Sequence, residues 1–159
     1  MVYVLEAVIA KAEVLHGLPG TPVIVPLEKG LSLVPVTKAY AASVADPETP
    51  VLAPYEKLTR GFADVLAACS KAGPLTYVEA EFFGGDGTQT AQVWEAGAVV
   101  FGPVHQPEEA VALPPEGSPI SQALRHLGVT VGAEVDEFDA VGLWRHRWTH
   151  EWIPSTKDK

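Results

Sequence analysis

Cysteine is nearly absent from this chain. The single Cys69 cannot close an internal disulfide, which excludes the small stapled folds of secreted proteins and suits a reducing compartment. Long apolar runs are missing too, since none reaches the ~18 residues needed to span a bilayer. The first residues, Met1-Val2-Tyr3-Val4-Leu5-Glu6, hold no basic cluster, and Glu6 interrupts their apolar run, so no secretory leader is expected. Cytoplasmic is the expected location. Basic residues are scarce, 11 against 20 acidic ones, for a formal net charge of -9. Such a surface repels phosphate backbones, which argues against nucleic acid and favours basic proteins or metal ions as partners. The same charge also serves plain solubility. No G-x-S-x-G, P-loop or paired C-x-x-C occurs, and there is no internal repeat or low-complexity segment.

Against those absences stand 47% hydrophobic and 19% charged residues over 159 positions, a globular composition long enough for a sizeable core. One domain over residues 1–154 is expected, with 155–159 as a polar tail. The clearest pattern is residues 76–104. Thr76–Phe83 alternates, with Thr76, Val78, Ala80 and Phe82 on one face and Tyr77, Glu79, Glu81 and Phe83 on the other. Thr88–Glu95 and Ala98–Val104 follow after the bends Gly84–Gly87 and Glu95–Gly97. A period of two with glycine-marked bends predicts a meander of three antiparallel strands.

Upstream, Val2–Ile9 alternates as a first strand with Tyr3, Leu5, Ala7 and Ile9 together, and Lys11–Leu18 suits a short helix. Pro22–Leu27 and Leu31–Thr37 flank Glu28-Lys29-Gly30 as a hairpin, and Pro26 and Pro35 place at least one of these strands at an edge or bulge. Residues 46–54, with three prolines, read as a loop. Tyr55–Ala72 then shows a helical stripe of Tyr55, Leu58, Phe62, Val65, Leu66 and Cys69. Downstream, residues 105–117 are a proline- and glutamate-rich loop. Ser118-Pro119 opens a second helix burying Ile120, Ala123, Leu124 and Leu127, and Val129–Val135 has the look of a last strand. The class is α+β: an antiparallel sheet of N-terminal strand, hairpin and three-stranded meander, with two main helices packed on one face.

Three stretches could carry chemistry. Gly84-Gly85-Asp86-Gly87-Thr88 resembles the nucleotide-binding motif of the NAD kinase and diacylglycerol kinase superfamily. That resemblance implies a phosphate cradle of Gly84, Gly85 and Gly87, with Asp86 on ribose or in catalysis. Those kinases continue into an apolar helix, whereas Thr88–Trp94 here reads as a strand, so a plain hairpin loop competes with the cradle. Glu79 and Glu81 share a strand face about 7 Å apart. With Asp86 nearby and His105 further on, they could divide acid and base roles or hold a hard cation; the competing reading is a solvated sheet face.

The third stretch is Trp144–Trp152, where tryptophans recur at 144, 148 and 152, histidines at 146 and 150, and arginines at 145 and 147. On a helix, His146 and His150 could share a zinc ion, although Arg147 stands where a metalloprotease motif has glutamate. Three tryptophans make too large an apolar patch to leave wholly in water, so at least one should dock on the core. Trp148 is the first candidate. The arginines and histidines should face outward. Cys69, on a buried stripe, is not expected to act as a nucleophile.

The combination of Glu79-x-Glu81-Phe82-Phe83-Gly84-Gly85-x-Gly87 with Asp136–Asp139 and Arg145-His146-Arg147-Trp148 is loosely similar to small single-domain proteins of actinobacteria. That resemblance implies no activity, although some compact acidic proteins of this kind are immunity or antitoxin partners. Two functional readings result. In the first the chain is a non-catalytic protein-interaction module, an immunity-type inhibitor of a more basic partner, using Trp144, Arg145, Arg147, Trp148 and Trp152. In the second it is a small enzyme or ligand-binding domain using Glu79, Glu81, Asp86 and the Gly84–Gly87 loop. No cofactor is implied, a protein partner is expected, nucleic acid and membrane are not, and self-association stays open. The discriminating feature is whether the Glu79/Glu81 face is a deep pocket or flat.

Overall fold

The computed structural model describes residues 2–83, 86–107 and 116–154. Gly84, Gly85, the Asp86 side chain, positions 108–115 of the predicted acidic loop and the 155–159 tail lie outside what it describes. Its elements are β1 (Val2–Ala10), α1 (Ala12–Leu15), β2 (Val25–Pro26), β3 (Ser32–Pro35), α2 (Lys38–Val44), α3 (Arg60–Cys69), β4 (Leu75–Phe83), β5 (Asp86–Glu95), β6 (Ala98–Gln106), α4 (Pro119–His126) and α5 (Glu137–Ala140). The strands form one six-stranded sheet in the order β2-β3-β1-β4-β5-β6, antiparallel throughout. This is the expected α+β class, and β4–β5–β6 is the expected meander. Ala96 and Gly97 turn its second bend with φ of 55° and 85°, the double positive φ of a tight hairpin turn. Both sheet edges are blunt. β2 is two residues long and ends at Pro26, while β6 is bulged against β5 and contains Pro103, features that discourage strand addition.

The two main helices do not share a face, contrary to the expectation. Tyr3, Leu5, Ala7, Ile9, Val78, Ala80 and Val93 bury against Ile120, Ala123 and Leu124 of α4 on one side. Val8, Val34, Leu75, Tyr77 and Trp94 bury against Phe62, Leu66 and Cys69 of α3 on the other. The reason lies in β4. Its Tyr77 face is apolar at Leu75 and Tyr77 and turns polar only at Glu79 and Glu81, so half of that face still needs a cover.

The helix expected over 55–72 also begins later. Thr59 caps α3 by accepting the Phe62 N–H at 3.2 Å, and Ser70–Ala72 ends it as a 3₁₀ turn. Tyr55 and Leu58 are buried as predicted, but from an irregular loop in which Leu52 N–H bonds to Leu58 O and Arg60 N–H to Pro50 O. Residues 129–135 form no strand. Val129 enters the core, its N–H bonding back to Leu124 O, while the side chains of Glu134 and Asp139 take the N–H groups of Gly132 and Val135. Those groups are thereby diverted from any ladder. α2, absent from the sequence reading, is capped by Thr37.

The C-terminal segment is not a continuous helix. Two 3₁₀ turns, Leu143–Arg145 and Thr149–Trp152, flank an extended stretch. β3 covers β1 only over Ala7–Ala10, which leaves the earlier part of that edge open. Residues 147–149 close it: Val4 N–H donates to Arg147 O at 2.7 Å and Glu6 N–H to Thr149 Oγ1 at 3.0 Å. Backbone groups committed to a strand edge cannot also complete a helix.

Candidate functional site

On the α3 side of the sheet, beyond the apolar half, one cross-strand row is polar. Glu6 of β1 lies opposite Glu79 of β4, Glu79 opposite Thr90 of β5, and Thr90 opposite His105 of β6. Two glutamates facing each other across strands repel, and the fold answers this with one residue. The Lys57 backbone N–H donates to Glu79 Oε2 at 3.1 Å, while its Nζ reaches Glu6 Oε2 at 3.1 Å. Glu79 also accepts from the Glu56 N–H at 2.9 Å and the Tyr77 hydroxyl at 3.0 Å. The loop before α3 is thereby stapled onto the sheet. The Thr149 hydroxyl, 3.2 Å from Glu6 Oε1, ties in the C-terminal segment.

Burial pushes the Glu79 carboxyl above its ordinary value of 4.5, and the Glu6 charge adds to this against the opposing pull of the three hydrogen bonds. A carboxyl with a raised folded pKa binds its proton more tightly when folded. Its contribution to stability is complete below 4.5 and is lost as pH rises through the raised value. We expect the stability of the wild type relative to Glu79→Gln to increase as pH falls from about 7 toward the ordinary glutamate range. Urea denaturation of both proteins across that range is the check, and a slope of the opposite sign would mean that the hydrogen bonds dominate.

With three donors on Glu79, the expected pair of free carboxylates is not formed by Glu79 and Glu81. The hollow between Glu79, Glu81, Thr88, Thr90 and His105 measures about 20 Å3, room for little more than a water molecule. Thr90 Oγ1 and His105 Nδ1 are 2.8 Å apart, but among the described residues no carboxylate orients the exposed imidazole, so the arrangement stops short of a triad. The glycine loop is followed by β5, not by a helix N-terminus that could receive phosphate. At Gly87, which pairs with Phe82, an added Cβ would run into Phe82 and the Glu81 carbonyl. Strand packing alone demands that glycine.

The histidines of the C-terminal stretch do not form the expected helical pair, because His146 stands edge-on to Trp152 and His150 stacks on Trp148. Among the described residues no group of three or more His, Cys, Asp or Glu could hold a metal ion. Cys69 is buried, its thiol donates to Val14 O at 3.2 Å, and burial pushes its pKa up, which suits an inert thiol. Of the three tryptophans in this stretch Trp152 is buried, at 3% exposure, whereas Trp144 and Trp148 remain 48% and 41% exposed. Trp148, the first candidate for docking, instead lies alongside Val4 at the edge of the sheet. Arg145 and Arg147 are exposed, as the outward reading required. Arg145 Nη2 donates to Pro26 O and its guanidinium lies 5.3 Å over the Trp152 ring. The acidic 134–139 segment pairs elsewhere, Glu134 with Lys29 and Glu137 with Arg125.

Sequence reasoning missed Glu6, Lys57, Thr90 and Thr149. Only Glu6 left a signal, as the one charged residue within the nine of β1. Lys57 and Thr149 acquire their roles from contacts across 51 and 143 positions of chain with Glu6. A second hollow, beyond Lys57 from the first, opens between α2, the loop before α3 and the sheet. No family model, curated protein or solved structure matches this chain, so site chemistry alone carries the functional reading.

Proposed function

We propose that the protein is a non-catalytic interaction module of the cytoplasm that grips a protein partner through its C-terminal segment, in the manner of an immunity-type inhibitor. One observation carries this reading: Trp144 and Trp148 are large, half-exposed aromatics on a segment that is itself firmly held. Tyr3 Oη donates to Leu143 O at 2.9 Å, Glu151 Oε1 accepts the N–H groups of Arg147 and Trp148 at 3.0 Å, and Trp152 anchors the end in the core. Aromatics and arginines displayed without ordering cost are the residues that dominate interface energies. The formal charge of -9 attracts a basic partner at long range, while Arg147 asks for a carboxylate at the contact itself. The commitment of Glu79 to structural bonds favours this reading over an enzyme built on the Glu79/Glu81 face.

Affinity capture followed by binary titration with the purified partner tests it. Trp144→Ala with Trp148→Ala is expected to weaken binding by at least about tenfold, while Val99→Ser on β6 leaves it unchanged. A partner whose affinity ignores both tryptophans would sink the proposal. A homo-oligomer that the same pair of changes dissolves would replace it with self-association.

A further inference from the structure

The hollow beyond Lys57 has a volume of about 390 Å3, within the range of small-molecule sites. Its walls include Val36, Ala41, Val51, Phe62 and Tyr77. The cavity follows from how α2 is mounted. None of the seven residues of this helix is fully buried; Tyr40, Ala41 and Val44 pack only partly against the α3-side core, and the helix is pinned by its attachments as well. Thr37 caps its start, Tyr40 Oη donates to Pro19 O at 2.8 Å, and the Tyr40 ring meets Phe62 edge-on at 6.3 Å. Ala41 and Ala42 present only methyl groups to the space that this mounting leaves, and both line it.

The polar side chains around the cavity are mostly donors. Glu6, the only carboxylate in its lining, is engaged on both oxygens by Lys57 and Thr149. Lys57, at 54% side-chain exposure, has a single carboxylate partner and so retains free donors. Lys38 has no carboxylate partner among the described residues. Thr37 and Thr59 accept the N–H groups of Tyr40 and Phe62, which leaves their hydroxyl protons without a protein acceptor among the described residues. Two cations and two hydroxyl donors thus share the lining with one engaged carboxylate. An apolar chamber with two ammonium groups and two unpaired hydroxyl protons in its lining favours a ligand that supplies acceptors and negative charge.

We propose that this cavity binds a small monoanion with an apolar body, a short fatty acid or an aromatic carboxylate, with Lys57 meeting the carboxylate and Phe62 and Tyr77 contacting the body. The site is separate from the C-terminal surface and does not depend on it.

Calorimetric titration with octanoate and phenylacetate distinguishes the two bodies, with octylamine and octanol as controls for the head group. At least one acid is expected to saturate a single site with a dissociation constant below about 1 mM, and both controls to bind at least about tenfold more weakly. Ala41→Trp fills the chamber and Val51→Trp, at a half-exposed position, covers its mouth; each is expected to abolish binding. Lys57→Met keeps the stem without the charge and is expected to weaken binding about tenfold. Urea unfolding establishes that each variant is folded, and the exposed Val51 variant secures the test if Ala41→Trp is not. The proposal is overturned if neither acid saturates with a dissociation constant below about 1 mM, if octylamine or octanol binds as tightly, or if a folded tryptophan variant or Lys57→Met binds like the wild type.

Discussion

Trp152→Ala is expected to lower the unfolding free energy by about 3–5 kcal/mol, the range for removing a large buried aromatic. The indole packs in the cluster that holds Tyr3, Leu5, Ile120 and Leu143. It is the far anchor of the segment that closes the open edge of β1, so its loss also loosens the Val4–Arg147 and Glu6–Thr149 bonds. Its Nε1 has no hydrogen-bond partner among the described residues. Trp152→Phe, which deletes that unpaired donor while keeping an aromatic body, is therefore expected to cost clearly less. Trp148→Ala is expected to cost less still, because so much of that ring already faces water. Urea denaturation of the three variants, with slopes compared for two-state behaviour, decides the matter. Equal losses for Trp148→Ala and Trp152→Ala would mean that the segment is not anchored as described.

Leu66→Ala is expected to cost about 2–5 kcal/mol through lost transfer free energy and the cavity left behind. Leu66 is fully buried in the α3-side core with Leu75, Tyr77 and Trp94 around the same cluster. The helix cannot settle into the gap, because Thr59 at its start and the loop bonds at Leu52 and Arg60 hold its entry in place. The neighbouring Val65 is only partly buried, and Val65→Ala is expected to cost about 1 kcal/mol or less. A loss below about 1 kcal/mol for Leu66→Ala in the same assay would remove α3 from the core.

The strands were legible because their signal is local. Alternation along Val2–Ile9 and Thr76–Phe83 assigns each side chain to a face whatever lies beyond, and the observed register keeps those assignments. The turn residues Lys29, Gly30 and Gly97, all at positive φ, mark the bends for an equally local reason. α2 escaped because its stripe of Tyr40, Ala41 and Val44 is short and only partly buried, which leaves a weak apolar period to read. The start of α3 was misplaced because Tyr55 and Leu58 are buried at helical spacing by a loop that is not helical. Val129–Val135 looked like a strand, but no strand neighbours it, and β-branched residues do not make a ladder alone.

The candidate site was legible only in fragments. Glu79, Glu81 and His105 could be named, yet whether a carboxylate is free or committed depends on what reaches it. The donors on Glu79 come from a loop 22 and 23 residues away and from the Tyr77 hydroxyl. The cavity beside Lys57 exists only where α2, the loop before α3 and the sheet come together. By itself, then, the sequence determined the class of fold, the faces of its central strands, the acidic surface and the need to bury a tryptophan. Those are properties of composition and short-range period. Tertiary structure alone decided that β1 enters between β3 and β4, that the two main helices take opposite faces, that Trp152 is the buried indole of the C-terminal three, and that Glu6 meets Glu79 under one lysine. Each of these joins groups far apart in the chain, and no local pattern encodes which distant partner satisfies a charge, an open strand edge or an apolar face.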